Sequence, residues 1–236
     1  MNDPYLLLWL EAPLQSWGHD SKFGRRDSLD FPTKSGVFGL ICCAMGAGGK
    51  QVELLARWAD RDMQTLAFVP TDMQGKPLPR QPLMRDFQMV GSGYDDSDPW
   101  QSLLIPKTSE GKKAVGGGTK MTYRYYLQDM AFAVALQGPP EELSEVEMAL
   151  QNPVWDLYLG RKNCVPTEFI AQGICNNAEQ ALGKAEQFAS SKGRILLFKV
   201  LQGQHQGEVL TLNDVPLQFG EHKLYRDRRV TVIPMS

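Results

Sequence analysis

An early apolar stretch, Tyr5 to Glu11, has the density of a buried strand, and Ala12-Pro13 stops it because proline donates no ladder hydrogen bond. From Gln15 to Lys34 the chain turns polar, punctuated by Gly18, Gly24 and Pro32, which predicts a long basic loop holding Lys22, Arg25 and Arg26. Thr33 or Ser35 can cap a helix through Val37, Phe38, Leu40, Ile41, Ala44 and Met45, closed by Gly46, Gly48 and Gly49. A second helix is expected over Val52 to Arg61 and a strand over Thr65 to Val69, after which Pro70, Pro77, Pro79 and Pro82 exclude regular structure until Leu83.

Phe87 to Val90 and Thr119 to Leu127 read as two strands separated by a polar, glycine-rich excursion. Nothing in it can be buried, so an extended hairpin over about 85–124 should project from the body towards a partner. Met130 to Leu136 follows as a strand, Pro139 to Leu150 as an amphipathic helix with a Pro-Glu-Glu start, and Trp155 to Leu159 as a short strand. The order is β-α-β twice, and with helices on one face of an antiparallel sheet that is the ferredoxin-like pattern shared by RNA-recognition folds. Beyond Pro166, a helix near Ala178 to Ser190 and strands at Arg194 to Gln202, Glu208 to Leu212 and Val230 to Ile233 predict a small, mainly β second domain. The expected fold class is therefore α+β, divided into domains at 1–165 and 166–236.

Composition narrows the function classes. With 236 residues, 42% of them hydrophobic, the chain can bury a real core. No apolar run approaches the roughly 20 residues that cross a bilayer, and Tyr5 to Leu10 is too short for a signal peptide, so a cytoplasmic protein without a membrane partner is expected. Four cysteines (Cys42, Cys43, Cys164 and Cys175) make no disulfide framework, and His19, His205 and His222 have no second ligand at helical spacing, so neither metal nor cofactor is expected. The net charge of -2 conceals segregation: Lys107, Lys112, Lys113, Lys120 and Arg124 are opposed within their stretch only by Glu110, while acidic groups gather at Asp95, Asp96 and Asp98 and along Glu141 to Glu147.

Three stretches carry a resemblance: Leu8-Trp9-Leu10-Glu11-Ala12-Pro13-Leu14-Gln15-Ser16-Trp17-Gly18, Phe31-Pro32-Thr33-Lys34-Ser35-Gly36-Val37-Phe38-Gly39-Leu40 and Leu157-Tyr158-Leu159-Gly160-Arg161-Lys162-Asn163-Cys164. With Tyr123-Arg124-Tyr125-Tyr126-Leu127-Gln128-Asp129 running into Phe132 to Leu136, they resemble the CasD family of type I-E Cascade, in order over residues 5–165. The resemblance implies a ferredoxin-like body of the RAMP type carrying a thumb hairpin at about 85–124. It implies a non-catalytic subunit that grips the five-prime handle of a CRISPR RNA and caps the backbone of an antiviral surveillance complex. The implied partners are that RNA, the repeated backbone subunit, the large subunit and, through the complex, target DNA.

A single-stranded handle offers phosphates and unstacked bases, so its receptor needs cations together with flat faces or backbone groups. Lys34, Ser35 and Gly36 lie at a predicted helix N-terminus, which favours an anion, and Arg25 and Arg26 lie close in sequence. Arg161 and Lys162 can clamp a backbone, and Tyr158 can either stack on a base or fill the core. Tyr123 shares a strand face with Tyr125 while Arg124 takes the other, either of which can be the buried one. Lys112, Lys113 and Lys120 are candidate phosphate contacts on the hairpin. The basic run Lys223, Arg226, Arg228 and Arg229 around Tyr225 can also meet RNA but has no counterpart in the resemblance.

Two enzyme readings compete. Relatives in other CRISPR subtypes cut repeat RNA without metal, but that chemistry needs a poised base, and no histidine-lysine-tyrosine set stands out around His19 in sequence. A nucleotide-binding loop at Gly46-Ala47-Gly48-Gly49-Lys50 fails because Gln51 stands where Ser or Thr is needed and because the run follows a helix.

Overall fold

The computed structural model describes residues 3–19, 21, 24–90, 97–100, 107–112 and 120–235. Strand β1 (Tyr5–Glu11) is apolar at every position but its last because both of its faces are covered. Leu6, Leu8 and Leu10 point into one core and Leu7 and Trp9 into another. It lies between β7 (Ala131–Gln137) and β8 (Ala171–Cys175), next to the edge of a seven-stranded antiparallel sheet. That sheet continues from β7 through β4 (Met63–Pro70), β9 (Arg194–Gln202) and β11 (Leu224–Pro234) to β10 (Glu208–Gln218). A second, smaller sheet holds β2 (Leu14–Gln15), β3 (Arg25–Arg26) and the hairpin partners β5 (Met84–Val90) and β6 (Lys120–Gln128).

Helix α1 (Lys34–Ala44), α2 (Val52–Trp58) and α3 (Pro140–Gln151) cover the face of the large sheet that carries Leu8. Helix α4 (Ala178–Ser191) covers the other with a row of alanines, Ala181, Ala185 and Ala189, whose small side chains let Trp9 reach Phe188 edge-on at 4.9 Å. The three helices of the expected β-α-β repeats thus share one face, and the helix expected in the C-terminal segment covers the other.

Two further expectations are corrected. Trp155 to Leu159 is not a strand: β8 takes the place beside β1, and Leu159 instead pairs its amide with Cys164 (2.8 Å) and its carbonyl with the Ser16 amide (3.0 Å). The boundary expected at 165/166 is crossed by β-ladders, since β9 pairs with β4 and β8 with β1, so residues 166–236 extend the sheet begun by residues 1–165. Among the described residues, no helix is long and apolar enough to cross a membrane.

Candidate nucleic-acid interface

The sequence stretches that look most alike to the family meet in three dimensions, and much of what they encode is scaffold. Gln15 is fully buried; its amide donates to the carbonyls of Leu10 (3.1 Å) and Met130 (2.7 Å), and its oxygen accepts from the Trp17 indole (3.1 Å). These bonds press Trp17 onto the start of α1, where a side-chain carbon on Gly36 would lie 2.8 Å from the Trp17 ring. On the other side, Gly160 has φ of +102° and a side-chain carbon there would lie 1.7 Å from the Ser16 carbonyl oxygen, so glycine is the residue this contact admits. Ser16, Trp17, Gly18, Thr33, Ser35, Gly36, Gly160 and Arg161 thereby line one open cleft of about 710 Å³, whose rim includes Arg26, Trp155 and Lys223.

Arg161 binds this assembly together. Its guanidinium donates to the Tyr125 carbonyl (2.9 Å) and the Arg26 carbonyl (2.8 Å) and lies 4.5 Å from the centre of the Tyr126 ring. It lines the cleft, but its donors largely fix β3 to β6 rather than standing free for a phosphate. Arg26 is the complement: its backbone is fixed by Arg161, and its exposed side chain makes no ion pair among the described residues. Arg25 pairs with Asp27 at 2.8 Å and lies 5.0 Å from the centre of the Tyr125 ring.

Lys34 is the clearest correction. The position at the start of α1 is as expected, but its side chain is 0% exposed and its ammonium donates to the carbonyls of Ala59 (2.8 Å) and Arg61 (2.6 Å). Burial, and to a lesser degree the nearby Arg228 guanidinium, lower its pKa from 10.5 to about 8 against the opposing pull of Asp214, Asp60 and Asp62. Its amide, which a helix N-terminus can offer to an anion, donates instead to Asp214 at 2.7 Å, and the Gly36 amide donates to the Thr33 hydroxyl at 3.1 Å. Ser35 and Gly36 remain half-exposed on the cleft wall. Asp214, held bidentately by Arg228 at 2.7 and 2.9 Å, drew no attention in the sequence; a register shift between Asn213 and Val215 accompanies its burial within β10.

The other expected residues scatter. Tyr158 is half-buried on the loop before Leu159 and its hydroxyl donates to Asp156 at 3.4 Å; Lys162 is exposed beside it. Tyr123 is exposed on β6, stacked in a tilted pair with Phe87 (5.2 Å) and 5.6 Å from the Arg85 guanidinium, with Arg124 half-buried next to it. Lys112 pairs with Glu110 at 3.0 Å, both well exposed; Lys120 is on β6 opposite Val90; Lys113 lies outside the described residues.

Two juxtapositions were not visible in the sequence. Lys223 and Tyr225 line both this cleft and an adjoining one of about 700 Å³, and His19 lines the second, so a histidine, a lysine and a tyrosine distant in sequence share one groove. Trp155, about half exposed, stands on the rim beside Gly48.

A family model described as CRISPR-associated protein (Cas_Cas5) matches residues 5–231. The CRISPR system Cascade subunit CasD of Escherichia coli (strain K12) is 27% identical over 178 residues, which is 74% of this chain and 73% of that protein. A chain of a solved CRISPR RNA-guided surveillance complex superposes with a TM-score of 0.72 at 27% identity, over 98% of this chain and 90% of that one. A second, described as a crystal structure of a Cas protein, does so with a TM-score of 0.58 at 26% identity, over 98% and 95%.

Proposed function

The chain belongs to the CRISPR-associated Cas5 family, and from that membership we propose that it is a non-catalytic subunit of a Cascade-type surveillance complex, holding the five-prime handle of a CRISPR RNA and capping the complex's backbone. The observation that carries the reading is the cleft where Ser16, Trp17, Gly18, Thr33, Ser35, Gly36, Gly160 and Arg161 converge beside Arg26, whose guanidinium makes no ion pair among the described residues. A cation without a protein partner among the described residues, on a wall where glycines leave room beside two tryptophans, suits a single strand, whose phosphate backbone must come close and whose bases can stack.

In this reading residues 1–165 are the ferredoxin-like RNA-binding unit, the β5–β6 hairpin is its thumb, and residues 166–236 are a β-rich addition to its sheet. Arg26, Ser35, Gly36 and Lys162 meet the handle, and Arg161 positions Arg26. Tyr123, Arg124 and the thumb lysines meet RNA or the neighbouring backbone subunit. Base pairing supplies sequence specificity in such complexes while the protein reads backbone and shape, and the work is done in the cytoplasm with the large subunit and target DNA as neighbours.

The test is to purify the tagged chain from cells carrying its native neighbours, sequence the retained RNA and incubate the pure chain with repeat RNA in chelator. Short RNAs sharing one repeat-derived five-prime end, retained and uncut, are expected. Absence of both RNA and partner subunits sinks the reading. Cutting replaces it with a metal-independent endoribonuclease, for which His19 in the groove with Lys223 and Tyr225 is the first substitution.

A further inference from the structure

The basic run near the C-terminus is sorted by its partners. Arg226 is paired with Asp60 and Arg228 is locked onto Asp214 within the core. Lys223 is exposed and, among the described residues, makes neither ion pair nor side-chain hydrogen bond, although it sits on the rim of the cleft that also holds Arg26.

The turn that presents Lys223 is itself held in place. The Phe219 amide donates to the Lys50 carbonyl (2.9 Å), Gly220 packs against Gly49, and the Gln218 side chain donates to the His222 carbonyl (2.6 Å). Tyr225 follows on β11, paired with Pro216 and half-buried. Burial raises its pKa, so its hydroxyl stays neutral and able to donate. Both clefts share Lys223, Tyr225 and Ser35, which makes them one groove. Each volume, about 710 and about 700 Å³, is within the range of roughly 300–1,000 Å³ that accepts a small organic ligand, enough for nucleotides of a single strand.

We propose that the turn between β10 and β11 is a second wall of the RNA groove, where Lys223 holds a backbone phosphate and the Tyr225 hydroxyl donates to a phosphate or ribose oxygen of the same strand. This rests on the RNA-binding reading above and adds to it a contact from the C-terminal segment. Lys223 contributes as a point charge, so its effect is uniform across sequences and falls with salt.

The experiment measures binding of a labelled oligoribonucleotide with the repeat-derived five-prime sequence to the full chain, purified with its native neighbours, over a range of salt. Lys223→Ala is expected to weaken binding and to flatten the slope of log affinity against log salt by about 0.7, the value for one phosphate on a single strand. Lys223→Arg should keep the slope, and Tyr225→Phe should weaken binding at every salt concentration with the slope unchanged. Lys76→Ala, an exposed lysine on the turn after β4, is the charge control and should leave the slope as it is.

If Lys223→Ala behaves like Lys76→Ala while Arg26→Ala weakens binding, the second wall is refuted and the handle reading stands. If neither the native chain nor Arg26→Ala binds the probe, both fall. Loss of co-purifying subunits from Lys223→Ala with an unchanged salt slope also overturns the proposal and makes this turn a protein contact.

Discussion

Replacing Lys34 by Met separates a phosphate contact from a core strut. The ammonium makes two hydrogen bonds to carbonyls at 2.8 and 2.6 Å in a site without solvent exposure. Charge-assisted bonds of this kind contribute about 1.5–3 kcal/mol each. Against this, a pKa lowered from 10.5 to about 8 corresponds to about 3 kcal/mol of unfavourable charge burial at neutral pH, which methionine removes. The balance is a net loss of about 1–2 kcal/mol, read as a urea midpoint lower by about 0.5–1 M at unchanged m.

The pH dependence is diagnostic, because the unfolded chain keeps this proton up to about 10.5 and the folded chain only to about 8. Between those values the unfolded state binds more protons, so stability gains from Lys34 as pH rises, and below pH 8 the burial penalty is fully present. The stability gap between native chain and Lys34→Met should therefore widen from pH 8 to 10, while the salt slope of RNA binding stays that of the native chain. A variant as stable as the native chain, with a flatter salt slope, would refute the burial argument and return Lys34 to the RNA.

Gly160→Ala should destabilise by at least the roughly 1–3 kcal/mol of a side chain held at positive φ, since its new carbon meets the Ser16 carbonyl; a native melting temperature would show that the loop moves at no cost. Arg161→Lys keeps the charge but cannot bridge the Tyr125 and Arg26 carbonyls as a planar fork. It should weaken RNA binding and lose about 1–3 kcal/mol of stability with the bridge, while Arg26→Ala reproduces the binding loss without the stability loss; full binding by Arg161→Lys would deny Arg161 its positioning role. Burial pushes the Glu11 carboxyl up, but the Trp9 indole (2.7 Å), Arg194 (2.8 Å) and Lys192 outweigh it and hold the pKa below 4.5. The stabilisation this gives is present above pH about 4.5 and lost as pH falls through the lower folded value; acid unfolding of Glu11→Gln should lack that component, and identical acid profiles would count against the network.

Where a residue's environment is set by its neighbours in sequence, the chain could be read directly. The run at β1, the Thr33 cap of α1 and the hairpin strands of β5 and β6 came through because apolar density, capping chemistry and glycine breaks are local signals. The failures came where a partner distant in sequence decides. Trp155 to Leu159 has strand composition, yet β8 takes the ladder beside β1, and β8 itself, with Gln172 and Gly173 at its centre, carries little strand signal. The division at 165/166 followed a real change in pattern, but β4 has one edge left for pairing and β9 fills it from beyond that point.

The same rule governs the site, with a sharper lesson about charge. Lys34, Arg161 and Arg228 read from sequence as equivalent cations, yet their surroundings give them different work: two backbone carbonyls enclose the first, two others hold the second, and Asp214 neutralises the third. What is left facing the groove is set by subtraction, and among the described residues it leaves Arg26 from β3 and Lys223 from the far end of the chain. A positive charge already satisfied by protein loses that interaction if it turns to a phosphate, whereas an unpaired one gives up only water. The cations that meet RNA are therefore found by asking which lack a protein partner, a question that basic clusters along the sequence cannot answer, and on that ground Lys223 ranks above Lys34.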